Sequence, residues 1–199
     1  MAVSDIIIAP ATIYKAPAGE ALPSADTIDF GEAWGGNWVS MGYTLTPVSL
    51  NYAQELFTLE VEQLTNAVKR LRTKEEATIE TTLAEITGVN LNLPLDGTVT
   101  TTAAGSSVRG KTTVEAGGKT AITEYAVGFE GLMKVDSAIN LPVRVFLYKC
   151  TIELNGKLEF SKKAAAGIPL VIKALADTSK VVGKQLMIIQ IVTAKATSE

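Results

Sequence analysis

The sequence predicts a mainly β fold, a β-sandwich or barrel flanked by one short α-helix. Two observations carry that expectation. Apolar residues recur with period two rather than 3.6, and the recurrent segments are rich in Thr, Val and Ile, which are stiff at χ1 and suit a pleated surface. Short segments of this kind alternate with tight-turn signals, the pattern of sandwiches and barrels. At 199 residues the chain is expected to be a single domain, 1–199, with a full core.

Taken in order, Thr12–Lys15 reads as the first strand. Next comes the longest uncharged run, 33–54, with Trp34 and Trp38 on either side of Gly35-Gly36. The run is as long as a membrane span, but its glycines, Pro47, asparagines and hydroxyls make it too polar for lipid. Trp38–Thr44 reads as a strand. Gly36 and Gly42 supply turns where a side chain would clash, so Trp34, Gly36, Trp38 and Gly42 are expected to form a structural corner.

In "LFTLEVEQ", Phe57, Leu59 and Val61 alternate with Thr58, Glu60 and Glu62, a strand with one dry face and one wet. "QLTNAVKRLRTKEE" (63–76) is expected to be a projecting loop carrying Lys69, Arg70, Arg72 and Lys74. "ATIETTLAEI" resumes the alternation, with Ala77, Ile79, Thr81 and Leu83 on one side. A short helix is expected from Glu85 or Ile86 and should stop before Pro94. Residues 96–110, small and hydroxyl-rich, read as a long loop or a weak hairpin. Further strands are expected at Thr113–Glu115, Thr123–Met133, Val143–Leu154, Leu170–Ala176 and Leu186–Thr193. Asn155-Gly156, between "TIEL" and "KLEF", is the strongest hairpin signal in the chain.

The composition excludes much chemistry. There is no histidine and one cysteine, which removes Ser-His and Cys-His pairs, the commonest zinc sites and any intrachain disulfide. Cys150 sits in an apolar alternating run and is expected to be a buried, inert thiol. A net charge of −3 and a pI near 5.2 offer no basic surface for gripping phosphates. Gly105 to Thr112 satisfies the pattern G-x-x-x-x-G-K-T, but no apolar strand precedes it. The β-branched, glycine-paired "TTVEAGGKT" that follows cannot make the helix a phosphate loop needs. Carboxylate pairs such as Asp26 and Asp29, or Glu60 and Glu62, read as solvated faces. The expectation is therefore a protein that is not an enzyme, with no cofactor and no metal. "MAVSDIII" lacks a basic region ahead of its apolar stretch, so no signal peptide is expected, and a soluble protein made in the cytoplasm is.

One long stretch resembles a known family. "EAWGGNWVSMGYTLTPVSLNYAQELFTLEVEQLTNAVKRLRTKEEATIETTLAEITGVNLNLPL" is similar to the N-terminal half of the major tail tube proteins of long-tailed, siphovirus-type bacteriophages. The shared order is Trp38 and Gly42 in W-x-x-x-G-Y-T, a strand, "VEQ", a loop, then an alternating strand closing on "LAE" and a short helix. Later, Ile168, Pro169, Ala174, Leu175 and Asp177 match the family's IP-strand-AL-D segment. The resemblance spans roughly 32–95 and 164–178; residues 96–140 match nothing recognisable.

The resemblance implies a structural virion protein. Homohexameric rings join their sheets into a continuous inner barrel and stack into the tail tube through which DNA passes, without specific binding, into the host. The implied partners are further copies, a tape measure protein, a tail terminator and tail-tip proteins, with assembly in the host cytoplasm and no membrane. On this reading Gln63, Asn66, Lys69, Arg70, Arg72 and Lys74 are inter-ring contact candidates, and Thr58, Glu60 and Glu62 are lumen-lining candidates. Trp38 packs the corner and Trp34 lies at a subunit interface, where such rings are favoured. Two other readings stand beside it: a carbohydrate-binding or adhesin-like sandwich with Trp34 and Trp38 as stacking platforms, and a tube protein of a contractile injection device.

Overall fold

The computed structural model describes residues 10–136, 139–162 and 164–194. In chain order its elements are β1 (Thr12–Pro17), β2 (Val39–Ser40), β3 (Ser49–Leu59), β4 (Lys69–Leu83), α1 (Gly88–Leu95), β5 (Thr98–Thr102), β6 (Lys111–Glu115), β7 (Tyr125–Asp136), β8 (Ile139–Leu154), β9 (Ile168–Ala174) and β10 (Met187–Ile191). Every ladder between these strands is antiparallel. The main sheet runs β2-β1-β7-β8-β9-β4-β3, with β10 added to β8, while β5 and β6 pair only with each other.

β8 turns this sheet into a sandwich. β7 lines one side of it as far as Cys150. The opposite side is shared: β10 pairs with Val143–Leu147, and β9 with Cys150–Leu154. One layer is therefore β2-β1-β7-β8-β10 and the other β8-β9-β4-β3, with β8 common to both. Between them lies the larger core, with Ile13, Val127 and Leu147 from the first layer packed with Ile79, Leu83, Leu170 and Ile172 from the second. The alternation that predicted strands is what supplies this dry face.

The first layer is covered on both sides, which explains why "YAVGF" and "VRVFL" are nearly all apolar. Behind it, Tyr14, Ala16, Ala126 and Phe146 pack with Trp34 and Trp38 in a second cluster. The cover is the segment 18–38, which crosses the layer as a strap between β1 and β2.

The helix begins later than the sequence suggests and runs through Pro94. Thr87 is its N-cap, accepting the Asn90 amide, and Asp96 closes it in the left-handed conformation at φ 48°. Asn90, a poor helix former, holds the element in place, its Nδ2 donating to Met41 O at 3.2 Å and Glu85 O at 3.0 Å. Pro94 falls in the last turn, so the backbone donor it lacks interrupts only the end of the helix.

Two strand expectations change. The strand expected over 38–44 shortens to Val39–Ser40, because Gly36 and Gly42 adopt φ 56° and 86° and turn the chain on either side. The hairpin expected at Asn155-Gly156 does not form: Gly156 takes φ 104° in a bend, but the chain does not fold straight back onto β8. β8 pairs with Leu170–Ala174 of β9, Leu154 opposite Leu170, rather than with "KLEF". That register buries Ile168, Leu170 and Ile172 completely, whereas Phe160 is 79% exposed; burial decides the pairing.

Candidate assembly surface

The strap and its corner are built from residues that are far apart in sequence. Glu130 on β7 and Arg144 on β8 are register partners, and both are fully buried. Arg144 Nε donates to Glu130 at 3.1 Å, while its terminal nitrogens donate to the carbonyls of Ser24, Ile28 and Asp29 at 2.7 to 3.4 Å. Glu130 also accepts from Gly31 N–H at 3.1 Å and from Trp34 Nε1 at 3.2 Å. Every contact outside the pair reaches the strap or β1, so the ion pair pins the strap onto the sheet. Charges buried this deeply are tolerated when their hydrogen-bonding capacity is used in this way.

Trp34 stacks on Tyr14 at 4.0 Å between centroids and leans on Phe146 at 5.1 Å, while Trp38 meets Trp34 edge-on and donates to Ala21 O at 2.8 Å. Gly128 makes room for this packing: a Cβ there would stand 2.6 Å from the Phe146 ring and 2.9 Å from Trp34. Gly42, at φ 86°, sits against the Glu85 carboxylate, which accepts the Tyr43 amide at 3.2 Å. The expectation of Trp34 at a subunit interface is corrected: it is 3% exposed in its own chain. Neither ring is presented as a stacking platform. Beside the corner, hydrogen bonds from the Asn37 side chain and amide hold the Glu20 carboxyl below the usual range.

The distal halves of β3 and β4 are exposed along nearly their whole length. β4 pairs with β9 only over Thr78–Leu83. Its other half, Lys69–Ala77, pairs with Tyr52–Leu59 alone, and the two form a two-stranded ribbon. A bulge between Glu55 and Leu56 bends it. The basic segment expected in a loop is thus mostly strand; only Glu60 to Val68, with Gln63 and Asn66, form the tip. Arg72 pairs with Glu75, and Lys74 with Glu76 at 2.9 Å and Glu55 at 3.7 Å. Glu76 raises the Lys74 ammonium above its ordinary pKa. The cluster is largely neutralised by its own neighbours, and Lys69 and Arg70 carry the exposed charge nearest the tip.

The dry face expected at Phe57, Leu59 and Val61 is not dry in the single chain. Leu56, Phe57, Leu59 and Leu71 are 43 to 53% exposed, with Phe57 opposite Leu71, and Leu64 at the tip is 60% exposed. A lone ribbon is marginal in water, and contiguous apolar exposure of this kind marks a contact surface. Glu60 and Glu62 do not share a strand face with Thr58, because β3 ends at Leu59 and both lie in the tip.

The face of the second layer turned away from the core is different in kind. Its rows can be read across the sheet: Ser49, Glu80, Val171 and Glu153 in one, Asn51, Thr78, Lys173 and Thr151 in the next. Ala53 with Glu76, and Glu55 with Lys74, continue it down the ribbon. Lys173 reaches Glu153 at 2.7 Å. This surface bears hydroxyls and is acidic on balance, with Glu55, Glu76, Glu80 and Glu153 against Lys74 and Lys173. Nothing in the sequence singled it out, since its residues are the polar halves of ordinary alternating strands.

The phosphate-loop pattern has the wrong surroundings, because Lys111 opens β6 rather than a helix. Among the described residues no three acidic or cysteine side chains are grouped to hold a metal, and no helix is long and apolar enough to cross a membrane. A family model described as phage tail tube protein matches residues 2–187. No curated protein matches the chain.

Proposed function

Because the chain belongs to the phage tail tube protein family, we propose that it forms closed homohexameric rings that stack into the tube of a long, non-contractile tail and conduct phage DNA into the host. Family membership makes it a structural component of the virion tail that assembles with further copies and other tail proteins. The finer reading adds a tape measure protein within the tube, a terminator and tip proteins at its ends, and assembly in the host cytoplasm. A building-block role accounts for the chain without an enzyme activity.

The observation that carries this reading is the β3–β4 ribbon, whose exposed Phe57, Leu59 and Leu71 need a covering surface that the described residues do not supply. On this reading the tip, with Gln63 and Asn66, reaches the adjoining ring, and Lys69, Arg70, Arg72 and Lys74 flank that contact. The acidic polar face of β3, β4 and β9 lines the lumen in place of the tip residues Glu60 and Glu62. Repulsion between an acidic wall and DNA favours sliding over sticking.

Electron microscopy of the purified protein at increasing concentration tests the proposal. Rings or tubes with an axial channel are expected. A protein that stays monomeric even with tail-assembly partners present overturns it.

A further inference from the structure

Two dipeptides in the chain place an Asn or Asp directly before glycine, Asn155-Gly156 and Asp96-Gly97. Such pairs have a reaction open to them. The backbone nitrogen that follows the side chain can attack its γ-carbonyl carbon and close a five-membered succinimide. A side chain on the following residue crowds that approach, and glycine removes the crowding. The other asparagines, Asn37, Asn51, Asn66, Asn90, Asn92 and Asn140, all precede a residue with a side chain.

The two glycine pairs have opposite surroundings. At Asp96-Gly97 every reacting group is occupied. Gly97 N–H donates to Asn92 Oδ1 at 2.8 Å, which holds the nucleophile away. The Asp96 carboxylate accepts from Thr123 Oγ1 at 2.6 Å and Thr123 N–H at 3.0 Å, with Lys119 Nζ at 3.5 Å. The hydrogen bonds from Thr123, aided by the Lys119 charge, hold this carboxyl below its ordinary range. An ionised carboxylate is a poor electrophile. The backbone is packed as well, since a Cβ on Gly97 would stand 2.1 Å from Glu115 O.

None of these restraints acts on Asn155-Gly156. Both residues are exposed, in the bend that leaves β8. The Asn155 amide donates to Pro169 O at 2.9 Å and tethers the residue to β9. Its side chain and the Gly156 N–H make no hydrogen bond among the described residues. Gly156 sits at φ 104°, with nothing within 4 Å of where its Cβ would be, so the bend has room to turn.

We propose that Asn155 is a self-modification site, converted in the folded protein to aspartate and isoaspartate. Gly156 N gives its proton to water or hydroxide and bonds to Asn155 Cγ, and the side-chain nitrogen leaves as ammonia. Water then opens the succinimide. Opening at Cγ leaves aspartate on the original backbone. Opening at the backbone carbonyl routes the chain through the side chain, as isoaspartate. One water is consumed, one ammonia is released and one carboxylate is gained. The new charge lies in the hollow that Asn155 shares with Ser49, Glu80 and Pro169, beside the polar face of the second layer. A virion component is not replaced after assembly, so the charge accumulates with the age of the particle. The reaction needs only this chain and water, whatever the arrangement of copies.

The test ages the purified full-length protein in warm, mildly alkaline buffer, beside a sample in urea, until the urea sample has converted. Peptide mass spectrometry and enzymatic methylation of isoaspartate locate the products. In the folded protein Asn155 is expected to convert ahead of every other asparagine, with Asp96 unchanged; in urea Asp96 should isomerise too. Isoelectric focusing should show a shift of one charge toward acid. Asn155→Gln, whose longer side chain cannot close a five-membered ring, should abolish that shift and keep the wild-type urea midpoint. Folded protein whose Asn155 survives while the urea sample converts overturns the proposal. Isoaspartate at Asp96 keeping pace with Asn155 in the folded protein overturns it as well.

Discussion

Glu130 and Arg144, fourteen residues apart and directly opposite on β7 and β8, form a fully buried ion pair whose remaining bonds hold the strap 18–38 and Tyr14 of β1. Removing one partner strands the other charge in a dry interior. Arg144→Met is expected to cost about 3–5 kcal/mol of stability, whereas adding Glu130→Leu to it should recover a large part. Urea unfolding followed by tryptophan fluorescence measures both. A single variant within about 0.5 kcal/mol of wild type, the range of an ordinary surface change, means the pair does not hold the strap.

The aromatic corner follows the same logic through packing. Trp34→Ala and Trp38→Ala each empty a buried site and are expected to cost about 3–5 kcal/mol. Both should act on folding of the isolated subunit, seen as a lower urea midpoint and lost near-ultraviolet dichroism. A Trp34→Ala protein as stable as wild type but unable to assemble would return that ring to an interface.

Cys150 is wholly buried, donates from Sγ to Tyr125 O at 3.2 Å, and has its thiol pushed well above the ordinary range by burial. Thiolate is the reactive form, so iodoacetamide should label the native protein only through opening. Labelling is expected to track unfolding across a urea series. Fast labelling in native buffer at pH 8 would show that β7 and β8 separate locally near residue 150.

Most strands were legible because each buries one face, and period two survives wherever that holds. Ile79, Leu83, Leu170 and Ile172 announce themselves this way. What escaped was settled by contacts across the chain. Glu130 and Arg144 are lone charges inside "AVGFEGLM" and "LPVRVFLY", a signal that is visible but points nowhere until the register pairs them. "KLEF" and "IPLVIKA" compete for the same partner, and only the buried area chooses between them. At the assembly surface the sequence marked the ribbon by its basic cluster. It carried the strand face on to Glu60 and Glu62 because the alternation in "LFTLEVEQ" continues past Leu59, where the backbone has already turned.

Reversing charge on the polar face tests its place at the lumen. Glu76 and Glu80 are exposed and lie on the polar side of β4, away from the core. Glu76→Lys with Glu80→Lys should leave the subunit folded and assembling, yet produce tubes that retain short duplex DNA. Retention should weaken steeply with salt, as counterion release requires. Cryo-electron microscopy of the loaded tubes locates the DNA. Density on the outside, or no retention at low salt, removes this face from the lumen.

The tip is the last element to test, and the register allows a clean excision. Leu59 pairs with Lys69, and Val68 N–H donates to Leu59 O at 2.8 Å, so the ladder is intact up to that point. Replacing Glu60–Val68 by Asn-Gly joins Leu59 to Lys69 through a two-residue turn matched to the twist of the strands. The excised residues are exposed, so subunit stability should change by no more than about 0.5 kcal/mol. Rings should still form, since the body of the sandwich is untouched, but stacking should be lost. Sedimentation and negative-stain microscopy distinguish single rings from tubes. Tubes of normal length from this variant would mean that Gln63, Asn66 and their neighbours do not join one ring to the next, and that stacking rests on the body of the sandwich.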